Sequence, residues 1–181
     1  MIYAVGVIEL KSIAKGVEAC DAALKSAAIR LVSAHPACPG KYEMIFTGEL
    51  SDVQAAMDHI KGSFERYIVD SSMMGRIDEQ VIKALFGAQE TQPQGSLAVV
   101  ETFSAASAIK AADLAVKTSR VDILDLRVSR GMGGKGVVLL TGSVSDVTAA
   151  AEAGANYAKE LGLLTNYSVI AAPHAELWKQ I

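Results

Sequence analysis

Apolar and polar positions along this chain switch repeatedly between strand-like and helix-like spacing. The short apolar run from Ala4 to Leu10 predicts a strand. Ile13, Val17, Cys20, Leu24 and Ala27 then step by 4, 3, 4 and 3, which predicts a helix with these residues along its apolar face. Lys15, Glu18, Asp21 and Lys25 lie off that stripe, and Asp21 and Lys25 have the i,i+4 spacing of a weak ion pair. Two strands are expected at residues 29–34 and 42–47. Ser51-Asp52-Val53-Gln54 has capping-box spacing and opens a second helix through Ile60. A strand near residues 67–73 and a short helix complete the set.

The same pattern occurs twice. Glu9, Ser12, Ala14, Ala19, Asp21, Ala23 and Lys25 recur as Glu101, Ser104, Ala106, Ala111, Asp113, Ala115 and Lys117, an offset of 92. Gly40-Lys41, Thr47-Gly48 and Ser51-Asp52-Val53 recur as Gly134-Lys135, Thr141-Gly142 and Ser145-Asp146-Val147, an offset of 94. The second copy is therefore two residues longer between Lys117 and Gly134. A period this long marks a duplicated domain rather than a solenoid. Strands of the second copy are expected at residues 97–102, 121–129, 136–141 and 166–171. The order is β-α-β-β-α-β-α, twice. Each copy is an α+β domain, a four-stranded antiparallel sheet with both main helices on one face. Residues 88–96 are polar, contain Pro93 and Gly95 and lack periodicity, so the expected division is a first domain at 1–87, a linker at 88–96 and a second domain at 97–181.

Composition narrows the function. Hydrophobic residues at 51% and charged residues at 20% describe an ordered globular chain. The net charge of −3, with no basic stripe, argues against nucleic acid as a partner. No apolar segment approaches the roughly 20 residues of a membrane helix. Met1 to Gly6 lack the charge pattern of a signal peptide. Cys20 and Cys38 are the two cysteines and form no CxxC, consistent with a reducing cytosol.

Gly131-Met132-Gly133-Gly134-Lys135-Gly136 matches the dinucleotide pattern G-x-G-x-x-G, but a strand follows it instead of the helix that a pyrophosphate needs. It reads as a tight β-β loop. Cys20 lies within an apolar stripe and reads as a small core residue. Cys38 lies in the turn between two strands, where no packing pattern requires a thiol. One cysteine cannot supply a cluster or zinc site unless symmetry brings copies together. His35 reads as a solvated loop residue, and neither His59 nor His174 has a companion at ligand or triad spacing. No catalytic constellation is evident, and an enzyme is not expected.

Glu9 to Gly16, Asp21 to Lys25, Cys38-Pro39-Gly40-Lys41 and Ser51-Asp52-Val53 resemble the tandem-domain shell proteins of bacterial microcompartments. The second half adds residues 99–102, 111–113, Gly134-Lys135 and 169–174, so the resemblance covers nearly the whole chain. Cys38-Pro39-Gly40-Lys41 is its most specific element and is similar to the PduT type of the propanediol-utilisation shell. The resemblance implies a homotrimer whose six domains form a pseudohexagonal tile in a microcompartment shell in the cytoplasm. It implies a central pore lined by Ala37, Cys38, Pro39, Gly131, Met132 and Gly133, with Cys38 from three subunits holding one iron–sulfur cluster, of 4Fe-4S type. The fourth iron would take an outside ligand. Lys25 and Lys117 match tile-edge residues that meet other shell proteins. Electron transfer to an encapsulated redox enzyme, or cluster transport, is the function implied. Many members carry Pro-Arg-Pro-His where this chain has Ala171-Ala172-Pro173-His174, so its edge lacks that arginine. A cluster-free metabolite pore is the alternative within shells. A ferredoxin-like small-molecule sensor is the alternative outside them.

Overall fold

The computed structural model describes residues 4–88, 90–128 and 131–181. Ser129, expected at a strand end, Arg130 of the glycine loop, Gln89 of the linker and Met1 to Tyr3 lie outside the described residues.

The first compact unit comprises residues 4–77, Ser104–Ala106 and residues 131–134. Its elements are β1 (Ala4–Leu10), α1 (Ile13–Ser26), β2 (Arg30–Ala37), β3 (Lys41–Gly48), α2 (Leu50–Phe64), a 3-10 turn at Glu65–Tyr67 and β4 (Ile68–Met74). The four strands pair antiparallel in the order β2-β3-β1-β4. One sheet face carries Ile8, Leu10, Tyr42, Met44 and Phe46, which form the core with Ala19, Cys20 and Ala23 of α1 and Val53, Ala56, Met57 and Ile60 of α2. Alternation sends Val5, Val7, Glu9, Glu43 and Ile45 to the other face, where they are also buried.

Two local expectations are corrected. The buried face of α1 is Gly16, Ala19, Cys20 and Ala23, whereas Ile13, Val17 and Leu24 are exposed, Val17 by 53%. Small residues win because the helix lies close against β3: a Cβ on Gly16 would stand 2.3 Å from Tyr42 Cβ. Nor does Ser51 cap α2. The helix begins earlier, with Glu49 at the cap position and no side-chain cap bond. In the second copy Ser143, the repeat of Glu49, accepts from Asp146 N. The capping residue survives in one copy only.

The second unit holds α3 (Glu79–Leu85), β5 (Ser96–Thr102), most of α4 (Ala105–Thr118), β6 (Val121–Val128), β7 (Gly136–Gly142), α5 (Val144–Glu160), β8 (Leu164–Ile170) and α6 (Ala175–Trp178). Its strand order, β6-β7-β5-β8, repeats that of the first unit. Helix α3 packs against β6, where Gln80 spans the strand backbone by donating to Val121 O and accepting from Ile123 N. Among the described residues, no helix is long and apolar enough to cross a membrane.

Candidate functional site

The turn carrying Cys38 is short because β2 pairs with β3 up to Ala37↔Lys41. Gly40 N donates to Ala37 O at 2.9 Å, and Gly40 closes the turn at φ +99°, a conformation that favours glycine. Cys38 and Pro39 are exposed at the tip, while Ala37 is buried beneath them. Gly131 to Gly134 form the β6–β7 turn, with positive φ at Gly131, Gly133 and Gly134. No helix follows these glycines, so they do not form a dinucleotide cradle. Gly134 lies against the Cys38 turn: a Cβ there would stand 2.3 Å from Cys38 O. The structure thus brings the thiol turn and the end of the glycine loop together.

Beneath the turn is a charged cluster that the sequence reading missed. Pairing aligns Glu9, Glu43 and His35 in one row across β1, β3 and β2. Glu9 and Glu43 are almost fully buried. Lys41 Nζ donates to Glu9 Oε2 and, at 3.1 Å, to Gly134 O. Ala106 N, in the first turn of α4, donates to Glu9 Oε1 at 2.9 Å. Burial pushes the Glu9 carboxyl above its ordinary range; the Lys41 and Ala106 hydrogen bonds and the Lys41 charge oppose that rise. His35 Nε2 lies 3.8 Å from Glu43 Oε1, so His35 is a strand residue facing a buried carboxylate rather than a solvated loop histidine. The signal was in the repeat, since Glu9 and Lys41 both recur, as Glu101 and Lys135, and that second pair also forms, at 2.8 Å.

The other histidines are peripheral. His59 is exposed on α2, and His174 caps α6 by accepting from Glu176 N. Lys25 is exposed and bonds the exposed Asp21 at 2.6 Å. Lys117 instead bonds the buried Asp113, which also accepts from Asp78 N. Among the described residues, no group of three or more His, Cys, Asp or Glu side chains could hold a metal within one chain.

The BMC domain model matches residues 4–77 and again 96–173. This chain belongs to the BMC-domain family. Like its relatives, it is a bacterial microcompartment shell protein, with a structural rather than catalytic role. It is 39% identical over 181 residues to the microcompartment shell protein PduT of Citrobacter freundii, covering 100% of this chain and 98% of that one. The carboxysome assembly protein CcmO of Synechococcus elongatus is 27% identical over 96% of this chain and 67% of its own length. The crystal structure of a microcompartment protein from Desulfitobacterium hafniense superposes with a TM-score of 0.85, at 38% identity and full coverage of both chains. BMC shell proteins assemble with other shell proteins.

Proposed function

We propose that three copies of the chain close into a pseudohexagonal shell tile whose central pore holds an iron–sulfur cluster through three Cys38 thiolates. The observation that carries this reading is the exposed Cys38 at the tip of a tight turn, in a chain similar over its full length to PduT. The donor set fits only as a symmetric one, because each described chain offers a single accessible cysteine. The unequal duplicates support association between copies: Ile13 and Val17 are exposed on α1, while their repeats Ala105 and Ile109 on α4 are fully buried. When bound, the cluster supplies one-electron transfer across the shell to an encapsulated redox enzyme. The chain's own part is to hold each thiol at the end of a backbone-bonded turn over the buried Lys41–Glu9 pair. Domains at 1–87 and 97–181 joined by 88–96 form the tile, and Lys25 and Lys117 meet neighbouring tiles.

A cluster-free metabolite pore is the second reading. It is favoured by Gly131 and Gly133, which bring no side chain to the rim and where an added Cβ would meet nothing of its own chain within 4 Å. Iron and acid-labile sulfide in anaerobically purified protein separate the two, with zinc assayed alongside. About one cluster per trimer, lost in Cys38→Ser with assembly intact, supports the cluster. No iron in the wild type leaves the open pore.

A further inference from the structure

The two copies use the same charged pair in unequal surroundings. In the first unit, Lys41 bonds Glu9 and the carbonyl of Gly134, and the second oxygen of Glu9 accepts the amide of Ala106. Side-chain exposure is 10% for Lys41 and 0% for Glu9. Each of these four positions has a repeat: Lys135 for Lys41, Glu101 for Glu9, Gly40 for Gly134 and Ala14 for Ala106. Lys135 and Glu101 form the same bond but remain 38% and 31% exposed. Gly40 and Ala14 are exposed, where Gly134 and Ala106 are buried. The first unit therefore shows a completed junction. The chain also carries both open halves of a second one, Gly40 and Ala14 in the first unit and Lys135 and Glu101 in the second.

We propose that Lys135 and Glu101 are the docking pair for the next copy of this chain, Lys135 Nζ donating to that copy's Gly40 carbonyl and Glu101 accepting the amide of its Ala14. Charge supports the match. Neither α1 nor α4 has an acidic residue in its first turn, and α4 receives the Glu9 carboxylate there instead. Glu101 supplies the same carboxylate to the Ala14 amide and positive end of a neighbouring α1, whose Lys15 amide is already capped by Ser12. The halves differ, so the contact is head-to-tail, the kind that generates a ring when its rotation closes. Gly40 belongs to the Cys38 turn, so each thiol turn is held from its own chain by contact with Gly134 and from the neighbouring chain by Lys135. This rests on the tile reading and adds its junction chemistry.

The test is sedimentation equilibrium of the full chain with Lys135→Met, Glu101→Gln, Lys135→Arg and, as control, Lys83→Met, which breaks an exposed pair with Glu79. Circular dichroism checks that each variant folds. The expected result is a wild-type trimer, with association weakened about tenfold per junction in Lys135→Met and Glu101→Gln, retained better in Lys135→Arg and unchanged in Lys83→Met. A wild-type trimer that Lys135→Met and Glu101→Gln leave as tight as the control overturns this junction and spares the tile. A wild type that never associates overturns the tile and the junction with it.

Discussion

Replacing Lys41 by Met tests the cluster beneath the Cys38 turn. The substitution keeps most of the side-chain length but removes the cation from between Glu9 Oε2 and Gly134 O, leaving the carboxylates of Glu9 and Glu43 buried nearby. Breaking a buried ion pair by removing one side costs about 3–5 kcal/mol, because the remaining charge stays desolvated. The cost should depend on pH. Glu9 already titrates above its ordinary range through burial, and the Lys41 bond and charge restrain that rise. Without them it climbs further, so the folded variant holds a proton that the unfolded chain releases near the ordinary carboxylate pKa of about 4.3. In that window the folded state binds more protons, and stability rises as pH falls. Each unit of further climb costs about 1.4 kcal/mol at high pH, returned as pH falls from the variant's folded pKa to the wild type's. Urea denaturation followed by circular dichroism, at one fixed protein concentration and at pH 8 and pH 5, measures this. The expected result is a large loss at pH 8 and a clearly smaller one at pH 5. A loss under about 1 kcal/mol at pH 8, or an equal loss at both, would show that Lys41 is not closing a buried pair.

Other substitutions separate close packing from backbone conformation. Gly16→Ala should destabilise by about 1–3 kcal/mol despite better helix propensity, because its Cβ meets the Tyr42 ring; Gly62→Ala, with nothing within 4 Å, should stabilise by up to about 1 kcal/mol. Thermal melts give both signs, and a stabilising Gly16→Ala would refute the close approach of α1 to β3. Gly134→Ala should cost more than Gly131→Ala, since both have positive φ but only Gly134 abuts Cys38 O. Equal losses in urea titrations would remove that contact. Lys25→Ala should change stability by less than about 0.5 kcal/mol, its pair being exposed. Lys117→Ala should cost about 1–3 kcal/mol by withdrawing a donor from buried Asp113. If both lysines lie at the tile edge, both variants lose sheet formation by electron microscopy while keeping the trimer mass; intact sheets would exclude them from the edge.

The sequence by itself determined the duplication, the element order and the character of the glycine loop. These follow from local signals: a repeat at fixed offset, a change of hydrophobic period, and glycines followed by a strand instead of a helix. It also singled out Cys38, because a thiol in a turn satisfies no packing pattern. Only the tertiary structure decided which face of α1 is buried. Counting large apolar residues selected Ile13, Val17 and Leu24, but the distance between helix and sheet selects Gly16, Ala19 and Ala23. The buried charges were hidden for a related reason. Nothing in the sequence spacing marks Glu9, Lys41 and Glu43 as buried, and their burial depends on both sheet faces being covered. Pairing register then places Glu9 beside Glu43 and Glu43 beside His35, residues far apart or unremarkable along the chain. Sequence spacing records which residues can share a face; distance from the neighbouring layer decides which face is dry.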